Sequence, residues 1–170
     1  MFLAQQTPQA YIQLAEIQPS ANYDLVDKIA AVDFKEAAMP ANNARVSEYG
    51  TNPMEFHSHK FRNLNVAGVS YVQMETNLAV DQSKTYYLTL DHCSTIVNDQ
   101  PLSKVTISVN GKIVLSGHNP MSGGGFVRQQ VEITPYLQNG ANTVRVSLDA
   151  NSIARYWLKD LSIVSLPTKH

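Results

Sequence analysis

Apolar and polar residues alternate most clearly between Val105 and Val146. Val105, Ile107 and Val109 alternate with Thr106, Ser108 and Asn110, the period of two expected of a strand with one buried face. Asn110-Gly111 follows at once. Both residues tolerate the positive φ that a two-residue type I′ hairpin needs, so residues 113–115 return as the partner strand. After a Gly-rich stretch, Val131 and Ile133 alternate again. Asn139-Gly140 marks another turn, and Val144, Val146 and Leu148 form a further half-buried strand. The pattern predicts that Ile107, Val109, Val131, Ile133, Val144 and Val146 share one core.

The rest of the chain carries the same kind of signal. Residues 85–91 (TYYLTLD) read as a strand, residues 61–65 and 66–74 carry β-type residues, and residues 155–165 form the last strand. Spacing puts Trp157 in register with Leu161 and Ile163. Residues 30–36 read as the first strand of the main body. Before it, residues 1–29 form an extension packed on that body, with a helical turn capped by Ser20 and running through Tyr23, Leu25, Val26 and Ile29. An edge strand over residues 10–17 is the alternative. Residues 37–53, 77–83, 92–103 and 117–125 read as loops. Short strands at regular spacing, punctuated by Gly and Asn, point to an all-β fold of two antiparallel sheets packed as a sandwich over residues 30–170.

Composition narrows the function classes. A chain of 170 residues buries roughly 70% of its unfolded surface and needs no disulfide or metal staple. Thirteen basic and fourteen acidic residues leave a net charge of −1, with no basic stripe, which argues against a nucleic-acid partner. No apolar stretch approaches the roughly 20 residues that span a bilayer. The N-terminus lacks the basic and apolar regions of a signal peptide. Cys93 is the single cysteine, so no internal disulfide forms.

Three segments carry a family resemblance. They are NGKIV from Asn110, the Gly-rich stretch ending at Phe126, and VEITPYLQNGANTVRV from Val131. Together they resemble the sugar-binding jelly-roll domain of family 2 glycoside hydrolases. More broadly they resemble the galactose-binding-like β-sandwich of carbohydrate-binding modules. The pattern is carried by Ile133, Thr134, Tyr136, Leu137, Gly140, Asn142 and Val144. Residues 156–163 resemble the closing strand of such modules, and residues 31–37 (AVDFKEA) their opening strand. The resemblance implies a jelly-roll fold, which hosts lectins, enzyme appendages and interaction domains alike. Within this sequence, Asn142 has a side-chain amide suited to backbone groups left open at a turn.

Candidate chemistry is sparse. His57 and His59 stand two apart, so on a strand both imidazoles face one way and could share a metal; the plainer reading is two loop histidines. His92 and Cys93 are neighbours, which on a strand sends them to opposite faces and argues against a nucleophilic pair. Ser122-Gly123-Gly124-Gly125 lacks the Lys-Ser/Thr and helix of a phosphate loop. No nucleophile elbow and no glycosidase carboxylate pair stands out, so the chain does not read as an enzyme. The resemblance implies a structural calcium where opening and closing strands meet, with Asp33, Glu36 and Asp160 as the matching positions; the plainer reading is an ordinary ion pair to Lys35 or Lys159. Sugar binding calls for rings beside planar amides, carboxylates, Arg or His. His57, His59, His118, Asn119, Arg128, Arg155, Tyr156 and Trp157 supply such groups in or beside loops. The expected function is a non-catalytic, lectin-like module that recognises glycan through loops at one end of the sandwich. The alternative is a structural or protein-interaction module of a larger assembly or toxin.

Overall fold

A computed structural model describes the chain except residues 1–14, 17–22, 31–45, 57, 95, 98–99, 102, 121–124, 153–155 and 169–170. In chain order the strands are β1 (Ala15–Glu16), β2 (Asp24–Ala30), β3 (Val46–Tyr49), β4 (Thr51–Phe56), β5 (His59–Leu64), β6 (Tyr71–Leu78) and β7 (Lys84–Ser94). They continue with β8 (Ile96–Val97), β9 (Gln100–Pro101), β10 (Val105–Val109), β11 (Lys112–His118), β12 (Val127–Glu132), β13 (Gly140–Leu148) and β14 (Tyr156–Pro167). A single 3-10 turn, Thr134–Tyr136, interrupts this pattern among the described residues.

Two antiparallel sheets form a sandwich. The larger is seven-stranded and runs β1-β12-β7-β14-β5-β4, with β2 also paired to β14. The smaller is five-stranded and runs β11-β10-β13-β6-β3. β8 and β9 make a separate short ladder. Inward residues of both sheets form one apolar core that includes Leu88, Leu90, Ile107, Val109, Val131, Ile133, Val144, Val146, Leu161 and Ile163. All six residues predicted to share a core lie in it, fully buried.

Both predicted turns are present. Asn110 and Gly111 adopt φ of 53° and 80° and join β10 to β11, as a type I′ turn requires. Gly140, at φ 92°, opens β13 after the chain has crossed between the sheets. Asn142 holds that crossing together. Its Oδ1 accepts from the Gln138 N–H at 2.9 Å and from Asn110 Nδ2 at 2.8 Å. Its Nδ2 donates to the carbonyls of Gln138 and Gly140.

The structure corrects several expectations, among them the loop over residues 92–103, which holds the end of β7 and strands β8 and β9. Residues 24–30 are a strand rather than a helical turn; pairing along the edge of β14 satisfies backbone groups that local spacing alone left ambiguous. The loop expected over residues 37–53 contains β3 and the start of β4. Pro53 is tolerated because β4 is the last strand of its sheet, where a missing N–H costs no ladder bond. Trp157 is out of register with Leu161 and Ile163. Leu158 pairs with His92 and Asp160 with Asp91, so Lys159 is an extra residue that reverses the alternation within β14. Tyr156 and Leu158 therefore point inward with Leu161 and Ile163, and Trp157 points outward. The expected opening strand falls mostly on residues 31–36, outside the described residues.

Candidate functional site

Alternation along the larger sheet sends sequence neighbours to opposite faces. Inward, β7 presents Leu88, Leu90 and His92; outward, it presents Thr89, Asp91 and Cys93. β12 sends Gln129 and Val131 inward and Arg128 and Gln130 outward. The register confirms the match: Gln130 is opposite Thr89, Arg128 opposite Asp91, and Gln129 opposite Leu90. On β14, Asp160 and Ser162 are opposite Asp91 and Thr89.

These outward residues line a cleft of about 270 Å³, with Asp91, Arg128, Thr89, Gln130, Asp160 and Ser162 from the central strands. β2 adds Lys28 and Leu25, and Tyr23 stands just before it. Tyr23 is held by an edge contact with Tyr87, ring centroids 6.0 Å apart, and its hydroxyl accepts from Gln130 Nε2 at 3.0 Å. Arg128 approaches Asp91 at 3.4 Å. Oγ1 of Thr89 and Oε1 of Gln130 are buried and have no hydrogen-bond partner.

An aromatic cluster lies beside the cleft on the same face. Phe61 is buried and stacks on the partly exposed Trp157, centroids 4.7 Å apart and 27° between planes. Phe126 packs on Phe61 and on His59, each at 5.6 Å, and Lys159 Nζ sits 5.9 Å from the Phe126 ring centre. The link to the cleft is short, because Arg128 is two residues from Phe126, and Cys93, two from Asp91, is the register partner of Trp157.

The inward side carries a different polar cluster. Tyr156 Oη lies 2.6 Å from His92 Nδ1, and His92 Nε2 lies 2.8 Å from Gln129 Oε1. Burial holds the Tyr156 phenol well above its usual pKa, so it donates to Nδ1, and Nε2–H donates to Gln129. Burial also lowers the His92 pKa to about 3, outweighing the Gln129 hydrogen bond, which raises it. His118 Nε2 approaches the same Gln129 oxygen at 3.4 Å, and burial lowers its pKa too. The His92 and His118 rings stack at 6.2 Å.

The structure thus divides the residues singled out in the sequence. Arg128 and Asp160 meet in the cleft, while Trp157 and His59 join the neighbouring aromatic cluster. His118, Asn119 and Tyr156 are buried, and Asn119 Nδ2 donates to the Ser103 carbonyl. His57, Arg155, Asp33 and Glu36 lie outside the described residues. Sequence reasoning missed Thr89, Asp91 and Gln130 as cleft residues, although the alternation in TYYLTLD puts Thr89 and Asp91 on one face. Among the described residues, no group of three or more His, Cys, Asp or Glu is placed to hold a metal. No described helix is long and apolar enough to cross a membrane.

No protein-family model matches the chain, and no curated protein sequence does. Solved structures do match. A family 35 carbohydrate-binding module from Clostridium thermocellum aligns with a TM-score of 0.53 at 16% identity, covering 81% of this chain and 98% of that one. A family 36 carbohydrate-binding module in complex with calcium and xylotriose aligns with a TM-score of 0.51 at 13% identity, covering 81% and 99%. An exo-β-1,3-galactanase from Phanerochaete chrysosporium aligns over 29% of its length, with a TM-score of 0.53 at 16% identity and 81% of this chain covered. The fold is a β-sandwich of two antiparallel sheets like that of the family 35 module.

Proposed function

We propose that the chain is a non-catalytic glycan-binding module whose ligand lies on the outer face of the larger sheet. The observation that carries this reading is the juxtaposition of a polar cleft with an aromatic cluster on one face. Rings offer stacking surface for the C–H faces of a sugar, and the carboxylate, amide, hydroxyl and guanidinium groups pair with its hydroxyls. This moves the binding surface from the loop ends to the sheet face. The likeness in fold to carbohydrate-binding modules supports the same ligand class. A calcium role for Asp160 with Asp33 and Glu36 stays part of the proposal, supported by the calcium in the family 36 complex.

The test is a glycan-array screen of the whole chain, with calcium and again with chelator. Reproducible binding to one sugar class is expected, weakened on replacing Trp157 by Ala. A blank array from folded protein would move the function to partner-protein binding. Tyr49, Val66 and Val69 are all exposed, and the hydrogen bonds of Ser70 to the Gly50 carbonyl and the Val66 N–H draw their segments together.

A further inference from the structure

We propose that the cleft selects a single neutral sugar residue, whose hydroxyls donate to an acceptor-lined floor, and that it rejects sugars bearing a carboxylate. The proposal rests on the glycan-binding reading and names the ligand class of the same site.

The floor is formed by Thr89, Asp91 and Gln130, which are 6%, 8% and 8% exposed. Gln130 Oε1 and the Asp91 carboxylate offer acceptance, and the Thr89 hydroxyl can accept as well as donate. Gln130 Nε2 already donates to the Tyr23 hydroxyl, which leaves Oε1 without a partner. Thr89 Oγ1 has no partner either. Asp91 meets Arg128 only at 3.4 Å, longer than the roughly 2.7–2.9 Å of a good charge-assisted bond, so its carboxylate keeps accepting capacity. Asp160, its register partner on β14, adds a second carboxylate to the lining. Buried polar atoms in folded proteins are nearly always paired, and two unpaired oxygens in one cleft mark where a ligand's donors belong.

Charge decides between ligand classes. The cations of the cleft stand at its rim: Lys28 is exposed and the Arg128 side chain is 58% exposed, where water and salt screen them. The anions are deeper, and Asp91 is the more buried of the two. A ligand carboxylate on the floor would face like charge where solvent screens it least. A hydroxyl brings a donor without that penalty. Size agrees with one residue. A volume of about 270 Å³ is roughly that of nine water molecules, enough for one sugar ring. Tyr23, Leu25 and Val164 supply apolar wall for its C–H face.

The experiment is calorimetric titration of the whole chain with matched methyl glycosides: neutral hexosides and the uronates of the same stereochemistry. One neutral glycoside is expected to bind, with its uronate at least about tenfold weaker. Thr89→Val and Asp91→Asn should each weaken the neutral ligand by about 5- to 50-fold without lowering the melting temperature. Asp91→Asn should also narrow the gap between neutral sugar and uronate, a change that a purely structural role would not produce. Tighter binding of the uronate overturns the proposal. Neutral binding untouched by both variants overturns the cleft assignment and leaves the glycan-binding reading standing. Array binding without any monosaccharide binding overturns the single-residue pocket. Silence on both the array and the titrations, from folded protein, overturns both readings together.

Discussion

The two faces of the larger sheet present two polar clusters built from adjacent residues of the same three strands. His92, Gln129 and Tyr156 face inward, while Asp91, Gln130 and Trp157, each one position away, face outward. The inward groups satisfy one another through short hydrogen bonds, with His92 and Tyr156 fully buried and Gln129 half-buried. The outward groups leave Thr89 Oγ1 and Gln130 Oε1 unpaired around a cleft. Histidines and a tyrosine look like chemistry in a sequence, yet here they are core structure. The less conspicuous Thr, Asp and Gln on the other face hold open hydrogen-bonding capacity. What separates the roles is satisfaction rather than residue type.

The strongest way to stress this contrast is acid. His92 has a pKa near 3 in the fold, lowered by burial, against about 6.5 in the unfolded chain. Below about pH 6.5 the unfolded chain takes up a proton that the folded protein refuses. The stability present above that pH is therefore lost progressively as pH falls toward about 3. His118 acts in the same direction. Urea denaturation at a series of pH values should show this decline, and a His92→Gln variant should show a shallower one. An equally steep decline in the variant would place the acid sensitivity elsewhere.

Removing one inward partner is the next largest effect. Tyr156→Phe deletes the hydroxyl that meets His92 Nδ1 and leaves that nitrogen buried and unpaired. The expected cost is about 1–3 kcal/mol, read from chemical denaturation, with glycan affinity unchanged. On the outward face the sign reverses. Thr89→Val removes a buried oxygen that has no partner, so stability should hold or rise by up to about 1 kcal/mol while binding weakens. A destabilised Thr89→Val protein would show that this oxygen is satisfied in solution. Arg128→Ala should matter least to folding. Its contact with Asp91 is long and its side chain is mostly exposed, so about 0–1 kcal/mol is expected.

Much of the sandwich was legible in the sequence because local rules and tertiary outcome agree there. Strict alternation in Val105–Val109 and Gly140–Leu148 forces one face inward whatever the partner strand is. Asn110-Gly111 can turn only in a few ways, and Asn142 closes its turn with bonds to nearby backbone. The N-terminal region was less readable. Leu25, Val26 and Ile29 suit a helical turn as well as a strand, and only the free edge of β14 decided between them. Pro53 looked like a loop signal until the order of strands placed it at an edge.

The candidate site was less legible for a related reason. Which residues share a face depends on counting by twos, and one uncounted residue inverts everything beyond it. Lys159 is that residue, and its bulge turned Trp157 from the core side to the outer face. Arg128, Asp91 and Asp160 lie far apart in the chain and meet only because β12, β7 and β14 are neighbours in one sheet. The sequence by itself determined the strands with clean alternation, the hairpin at Asn110-Gly111 and the residues of the central core, since those follow from local backbone preference and burial. The tertiary structure alone decided strand order, the bulge, and therefore which polar groups are paired inside and which are left open outside. Those outcomes depend on contacts between segments that no local pattern encodes.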